Sequence, residues 1–203
     1  MASNPSREAG AGTRRAPTPV KIVIAGAFGV GKTTAVGAIS EILPLTTEAA
    51  MTSTAAEIDR GGHVPEKTTT TVALDFGCIT IEEDLKLYLF GTPGQDRFAF
   101  MWRDIVRGSL GALVIVDTRR LDECYAAVDY FEKVDLPFAV AVNCFDGQLS
   151  HRLEDVRWAL AVRDDVPLIT FDAREKVSVR NALLTVLRSA RDRRKAAIAS
   201  GAS

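Results

Sequence analysis

Short apolar runs alternate along the chain with segments whose apolar residues recur at helical spacing. We predict six strands from the runs rich in aliphatic and β-branched residues, at 20–25, 71–81, 85–90, 112–117, 138–143 and 168–171. The segments between most of them place apolar side chains on one helical face, as Leu121, Cys124 and Val128 do. This alternation indicates an α/β fold with a mostly parallel sheet and helices on both faces.

Two places interrupt the alternation. Only Glu82-Glu83-Asp84 separates the strands predicted at 71–81 and 85–90, which favours a hairpin and therefore one antiparallel edge strand. The stretch from Leu43 to Thr70 is long, rich in small residues and punctuated by Pro and Gly, so we predict a loop there. A loop of this length inside a compact domain is usually either functional or disordered.

Composition bounds the class of protein. A chain of 203 residues with 47% hydrophobic content can bury one core, so we expect one domain at 20–196 between flexible tails at 1–19 and 197–203. A formal net charge of −1 argues against a general binder of nucleic acid. The three cysteines include no C-x-x-C pair, so the sequence predicts neither a disulfide framework nor a zinc site. Reduced cysteines of this kind favour a cytoplasmic protein. No apolar stretch approaches the roughly 18 residues of a transmembrane helix.

The strand predicted at 20–25 leads directly into the pattern G-x-x-x-x-G-K-T. The glycines let the backbone wrap a polyphosphate, Lys32 can reach the β and γ phosphates, and the Thr33 hydroxyl can ligate Mg²⁺. The positive N-terminal end of the next helix favours the same anion. A glycine-rich turn without this function is the alternative. The nucleotide-binding residues expected here are Gly26, Phe28, Gly29, Val30, Gly31, Lys32, Thr33 and Thr34.

Two later segments carry groups suited to a terminal phosphate. Gly94 can offer its backbone N–H to a γ-phosphate, and Gln95 can orient an attacking water. Thr71 lies just before the apolar run 72–76 and can bring a second hydroxyl to Mg²⁺. Four consecutive threonines suit a strand equally well, so the register at Thr71 is open by one residue.

Two more segments carry groups suited to a purine base. Asn143 and Asp146 follow a predicted strand, and a carboxylate at Asp146 can accept the N1–H and N2–H donors of guanine, which adenine does not present. After the last strand, backbone N–H groups of Asp172, Ala173 and Arg174 can bind guanine O6. The alternatives are a turn-forming Asp-Gly pair at Asp146 and a helix cap at Asp172 and Arg174.

With these segments in this order, the chain resembles the Ras-like small GTPases over about 20–188. The segments 67–77 and 89–98 are most similar to bacterial Mgl-type GTPases and to the GTP-binding proteins of actinobacterial conservon operons. The resemblance implies a three-layer P-loop NTPase fold with a six-stranded sheet, GTP or GDP with Mg²⁺, and slow GTP hydrolysis in which Gln95 and Lys32 are catalytic. It also implies a molecular switch whose partners read the loops around Thr71 and Gln95.

The same resemblance implies particular protein partners. Conservon GTPases are associated with a roadblock-type regulatory protein and a sensor-kinase-like protein. Related mycobacterial proteins suggest a pentapeptide-repeat protein that mimics DNA. The expected location is the cytoplasm, and any membrane association would be made through such partners.

Three positions depart from the general Ras-like pattern. Gly91 stands where most of these proteins hold Mg²⁺ with an aspartate, and Cys144 replaces a lysine whose aliphatic stem packs on the base. Thr70 occupies the position of an intrinsic arginine in Mgl-type proteins. An arginine that stabilises the transition state would then come from a partner or from Arg60, Arg97 or Arg103.

Two other classes of function stay open at this point. The three departures also suit a nucleotide-loaded adaptor that scarcely hydrolyses its ligand. A phosphate-loop kinase or ATPase of another lineage is distinguished by base choice, since Asp146 predicts guanine. Phe100 falls off the apolar face of its helix, so we expect it to be an exposed contact beside Gln95.

Overall fold

The chain folds around a sheet in which the strands Gly111–Val116 and Phe138–Asn143 are buried at every residue. A computed structural model describes residues 16–52 and 69–201. The strands are β1 (Thr18–Ala25), β2 (Leu45–Thr52), β3 (Thr69–Glu82), β4 (Leu85–Gly91), β5 (Gly111–Val116), β6 (Phe138–Asn143) and β7 (Leu168–Phe171). The helices are α1 (Lys32–Ile39), α2 (Trp102–Val106), α3 (Tyr125–Lys133), α4 (Leu153–Ala159) and α5 (Lys176–Ala199), with 3₁₀ segments at Asp96–Met101, Thr118–Cys124 and Phe145–Gly147.

The strand order is β2-β3-β4-β1-β5-β6-β7. The strands β4, β1, β5, β6 and β7 pair in parallel, and β3 pairs antiparallel with both β2 and β4. Every residue of β5 and β6 is buried, as expected for parallel strands covered on both faces. The predicted α/β fold with a mostly parallel sheet is therefore confirmed.

One strand of the sheet lies where we predicted a loop. β2 falls inside 43–70, so the described sheet has seven strands rather than six. The antiparallel strand β3 is consequently second from the edge, and β2 forms the edge. The sequence Leu-Thr-Thr-Glu-Ala-Ala-Met-Thr of β2 has no apolar alternation, and it extends because the backbone of β3 pairs with it from Leu45↔Phe76 to Thr52↔Thr69.

The ends of the predicted domain are close to the ends of the outermost elements. β1 begins two residues before position 20, and α5 continues to Ala199, past the predicted boundary at 196. The division into one domain and two tails stays a prediction, since 1–15 and 202–203 lie outside the described residues, as does 53–68. Among the residues that are described, no helix is both long enough and apolar enough to cross a membrane.

The helices on the two faces are held by different contacts. On one face α1 packs against α5. On the other, Trp102 of α2 meets Tyr130 of α3 edge to face, with ring centroids 5.2 Å apart, and stacks over Phe131. Edge-to-face aromatic pairs add to the stabilisation from burial alone. This aromatic cluster fixes α2, and with it the segment that follows β4.

The parallel strands bring all their carboxyl ends to one edge of the sheet. The segments after β1, β4, β5, β6 and β7 therefore lie along the same edge. In the sheet, β1 lies between β4 and β5. The edge at its carboxyl end is therefore a topological switch point. Ligands of open α/β sheets bind at such a point.

Replacing Leu113 with alanine should lower the free energy of unfolding by about 3 kcal/mol, because this side chain is fully buried in β5 and leaves a cavity in the central sheet. The matched control is Val177→Ala, since Val177 is exposed on α5 and its loss should change stability by less than about 0.5 kcal/mol. Urea unfolding without nucleotide measures both. Equal effects of the two substitutions would contradict the position of the core.

Candidate functional site

A phosphate loop joins β1 to α1 and has the backbone that its glycines predict. Gly26 has φ 137° and Gly31 has φ 108°, a region that side-chain-bearing residues rarely adopt. A Cβ atom on Gly26 would lie 2.3 Å from Ile115 O of the neighbouring strand β5. α1 then begins at Lys32, with Gly31 O accepting from Ala35 N at 2.8 Å in its first turn. The loop is thus wrapped tightly against the sheet.

Lys32 is a buried cation at the centre of this loop. Its Nζ donates to Gly26 O at 2.8 Å and to Ala27 O at 2.6 Å, and the residue is 8% exposed. Burial lowers the pKa of Lys32 to about 8, and the charge of Asp75 acts in the opposite direction. A partly desolvated ammonium held by carbonyl oxygens is a strong site for an anion.

Asp75 is a site residue that the sequence analysis did not identify. Its Oδ2 accepts from Thr33 Oγ1 at 2.7 Å, and the residue is 9% exposed on β3. A Cβ atom on Gly91 of β4 would lie 3.0 Å from Asp75 Cβ and 3.1 Å from Asp75 Oδ2. A carboxylate of the neighbouring strand thus lies beside Gly91 and hydrogen-bonds to the Thr33 hydroxyl. The sequence signal that could have identified Asp75 is that it is the one charged residue in the otherwise apolar run Val-Ala-Leu-Asp-Phe.

The segment after β4 lies directly on the phosphate loop. A Cβ atom on Gly94 would be 2.6 Å from Lys32 Nζ and 2.8 Å from Ala27 O, so glycine is the residue that this approach accommodates. Pro93 O accepts from Trp102 Nε1 at 3.2 Å, which ties the segment to α2. Gln95 follows Gly94 with its side chain exposed.

Thr92 of the same segment holds a buried hydroxyl for which the described residues show no hydrogen-bond partner. Its backbone N donates to Ile24 O at 2.9 Å, so the residue lies where β1 enters the phosphate loop. Buried hydroxyls usually have partners, which come from protein, water or ligand. This atom is consistent with a polar ligand at the loop.

Asn143 connects the phosphate loop with the segment after β7. Its Nδ2 donates to Val30 O at 2.9 Å, and its Oδ1 accepts from Ala173 N at 3.2 Å. The residue is 6% exposed, so both bonds are shielded from water. This one side chain brings together three of the segments that the sequence analysis assigned to nucleotide binding.

Two cavities lie beside Asn143. A cavity of about 110 Å³ is lined by Thr34, Asn143, Cys144, Phe145, Asp172, Ala173 and Arg174. A more open one of about 380 Å³ is lined by Thr118, Arg119, Asn143, Phe145, Asp146, Gln148 and Ser150. The two cavities share Asn143 and Phe145, and the recess that they make up is lined by every residue predicted to contact a base.

Asp146 presents its carboxylate to solvent at this recess. It has φ 58°, which turns the chain after β6, and its side chain is 91% exposed. Arg174 Nη1 lies 3.5 Å from Asp146 Oδ1. The turn expected from the Asp-Gly pair is thus present, and it leaves the carboxylate able to accept hydrogen bonds.

The segment after β7 is a local turn rather than a helix cap. Arg174 N donates to Asp172 Oδ1 at 2.9 Å, while α5 begins at Lys176 with Glu175 as its N-cap residue. Hydrogen bonds and charge from Arg174 lower the pKa of Asp172. All three amides predicted to bind guanine O6 already donate within the chain: Asp172 N to Ser178 Oγ, Ala173 N to Asn143 Oδ1 and Arg174 N to Asp172 Oδ1. Binding of O6 there requires exchange of one of these bonds.

Arg119 covers the aromatic wall of the recess. Its guanidinium lies 3.6 Å from the centroid of the Phe145 ring. Burial would raise the pKa of Asp117, but hydrogen bonds from the side chain and backbone of Arg119 outweigh it and lower that pKa. The fully buried Asp117 carboxylate therefore holds Arg119 in place.

Several predicted residues lie at the edges of the described site. Thr71 is inside β3, opposite Ala50, and its side chain lies outside the described part. Arg60 is outside the described residues, Arg97 is in a 3₁₀ segment with its side chain outside them, and Arg103 is exposed on α2. Phe100 is 63% exposed, as predicted, and Phe28 in the phosphate loop is 64% exposed.

Comparison with known proteins places these segments in one family. A family model described as "Conserved hypothetical ATP binding protein" matches residues 24–197, which run from the end of β1 almost to the end of α5. An uncharacterized protein of Methanocaldococcus jannaschii, MJ1339, is 35% identical over 129 residues, covering 63% of this chain and 71% of that protein.

A second relative comes from plants. The Ras-related protein RABD1 of Arabidopsis thaliana is 25% identical over 126 residues, covering 57% of this chain and 62% of that protein. The match therefore spans less than two thirds of the length of this relative. A phosphate loop with a buried lysine, an α/β sheet with the loop at its switch point and the family match agree. The chain belongs to the family described as conserved hypothetical ATP binding proteins.

Proposed function

We propose that the chain is a small GTP-binding protein that acts as a nucleotide-dependent molecular switch, with slow Mg²⁺-dependent GTP hydrolysis. The observation that carries the proposal is the double hydrogen bond of Asn143, which sets the phosphate loop at a fixed place relative to Asp146 and the segment after β7. A phosphate-binding end and a base-binding end then belong to one site. Family membership supports nucleotide binding itself.

The base preference rests on Asp146. Its exposed carboxylate has acceptor atoms for both N1–H and N2–H of guanine. Arg174 lies 3.5 Å away, and its side chain is exposed enough to move when a base enters. The rival proposal is ATP binding, which the description of the family favours.

The groups around Thr33 fit a magnesium ion. Mg²⁺ prefers hard oxygen donors, and the Thr33 hydroxyl and the Asp75 carboxylate lie side by side at the phosphate loop. Thr71 is proposed as a further donor. A bound Mg²⁺ would supply positive charge to the nucleotide phosphates. With Asp75 in this role, Gly91 does not imply a weak metal site.

The proposed hydrolysis uses this chain's groups in separate roles. Gln95 orients the attacking water, and Lys32 with the phosphate-loop amides stabilises negative charge on the phosphates. Gly94 contacts Lys32 in the described structure, so a phosphate that reaches Lys32 has to move the segment after β4. Trp102 joins that segment to α3, so partners would sense the nucleotide through this side of the molecule.

The finer parts of the proposal rest on resemblance. They are a place among the Mgl-type and conservon GTPases, a cytoplasmic location, and the roadblock-type, sensor-kinase-like and pentapeptide-repeat partners. Exposed Phe28 and Phe100 are suitable contacts for such partners, since large exposed apolar groups mark interaction sites. An adaptor with little hydrolysis is the second form of this proposal.

Asp146→Ala should weaken GDP and GTP binding by about 1.5–3 kcal/mol, roughly 10- to 150-fold, because the site loses a charged acceptor. Asp146→Asn should shift preference toward xanthosine nucleotides, whose C2 carbonyl accepts from an amide where guanine has an amine. Titration of fluorescent nucleotides measures both effects. The control is Asp164→Ala, which also removes an exposed carboxylate. Unchanged binding in Asp146→Ala, or tighter ATP than GTP binding by the wild type, would overturn the guanine proposal.

Asp75→Ala should raise the Mg²⁺ concentration needed for tight GTP binding about 10- to 100-fold, the usual effect of removing a group that orients a metal ligand. Adding Gly91→Asp to Asp75→Ala should recover much of the loss, because the new carboxylate enters space vacated by Asp75. Gly91→Asp alone should destabilise the fold, since its Cβ would meet Asp75. Magnesium titrations of GTP binding, with thermal unfolding as a stability check, test this. A Mg²⁺ requirement unchanged in Asp75→Ala would contradict the assignment.

GDP affinity should fall as pH rises through about 8, the pKa of Lys32 in the free protein. Phosphate favours the charged lysine and raises its pKa, so binding takes up a proton between the free and bound pKa values. Binding titrations between pH 7 and 9 measure the trend. Lys32→Arg keeps its charge over this range and should lose the trend, whatever its absolute affinity. A wild-type affinity that is flat across this range would contradict contact between Lys32 and phosphate.

A further inference from the structure

Arg120 reaches the phosphate loop from the segment that follows β5. Its Nη2 donates to Phe28 O at 3.0 Å, a contact between residues 92 positions apart in the sequence. A Cβ atom on Gly29 would lie 3.1 Å from the same nitrogen. The guanidinium therefore lies against the phosphate loop at Phe28 and Gly29. The sequence analysis did not place Arg120 among the candidate arginines.

The local backbone and two carboxylates hold the side chain of Arg120 against this loop. Arg120 has φ −144° and ψ 57°, which break the 3₁₀ segment between Thr118 and Cys124. Its Nη1 lies 3.1 Å from Glu123 Oε2, and its Nη2 lies 3.8 Å from Asp117 Oδ2. The side chain keeps 39% of its surface exposed. Since a guanidinium has five N–H donors, it can hold these partners and still donate to a phosphate.

Arg120 lies at the end of the loop where the last phosphate is expected. Gly94 also approaches Phe28, since a Cβ atom on Gly94 would be 2.8 Å from Phe28 Cα. The adjacent carbonyl, Ala27 O, accepts from Lys32 Nζ. Two cations therefore hydrogen-bond to adjacent carbonyl oxygens of the phosphate loop, and the segment after β4 approaches the same short stretch.

We propose that Arg120 contacts the terminal phosphate of the bound nucleotide and stabilises the charge that develops during its transfer to water; this rests on the proposed function. In that reaction a bond forms between the water oxygen and the γ-phosphorus while the bond from the γ-phosphorus to the bridging oxygen breaks. The bridging electron pair stays on the β-phosphate of GDP, and the protons of water end on inorganic phosphate and solvent. Arg120 donates hydrogen bonds to the oxygens that gain charge.

The test compares Arg120→Ala and Arg120→Lys with Arg152→Ala in the full chain. Arg152 is a matched control, because its side chain is 79% exposed and pairs only loosely with Glu154, at 3.6 Å. Single-turnover GTP hydrolysis, GTP and GDP affinity, and thermal unfolding are measured for each variant. Arg120→Ala should slow hydrolysis roughly 100-fold while GDP affinity changes little. Arg120→Lys should recover part of the rate, and Arg152→Ala should match the wild type.

The other outcomes each overturn a stated claim. A hydrolysis rate unchanged in Arg120→Ala, with the wild type binding and hydrolysing GTP, overturns the role of Arg120 and leaves the proposed function standing. Parallel loss of GDP and GTP affinity with a lowered unfolding temperature also overturns it, since Arg120 would then only brace the phosphate loop. A wild type that binds no guanine nucleotide overturns the proposed function, and the role of Arg120 with it.

Discussion

The site depends on one buried amide, that of Asn143. Its two hydrogen bonds join the end of β6 to the phosphate loop after β1 and to the turn after β7. Each of these segments is short and follows a different strand, so nothing within any one of them sets its distance from the others. A buried amide that loses a partner costs about 1–3 kcal/mol, and this cost keeps the three segments in register. The phosphate loop and the recess beside Asp146, to which we assign the base, are therefore held together at one edge of the sheet.

The buried charge of Lys32 gives this edge its chemistry. The ammonium is held by two carbonyl oxygens, and burial lowers its pKa because no full counter-charge compensates for lost solvation. A phosphate would supply that charge. A Cβ atom on Gly94 would lie 2.6 Å from Lys32 Nζ, so the segment after β4 lies very close to this charge. The proposed switch uses this closeness: a phosphate at Lys32 would displace the segment, and the aromatic cluster around Trp102 connects the segment to α3.

The fold and the phosphate loop could be predicted because their signals are local. Buried strands are apolar at consecutive positions, and the glycine pattern encodes its own backbone. β2 could not be predicted, because its sequence has no apolar alternation and it is extended only through pairing with β3. Asp75 and Arg120 were missed for a related reason. Each lies far along the chain from the phosphate loop that it reaches, and only the order of the strands brings them there. Asn143 was predicted from its motif, although its role in joining three segments needed the fold.

The central claim is that this edge of the sheet selects a guanine nucleotide. It is tested most directly by identifying the nucleotide that the purified wild-type protein retains, followed by competition of unlabelled GTP, GDP and ATP against a labelled guanine nucleotide with Mg²⁺ present. The account predicts that GDP or GTP is retained and that ATP competes far more weakly than either. Retention of an adenine nucleotide, or ATP competing as well as GTP, would contradict it and would favour the function named in the family description.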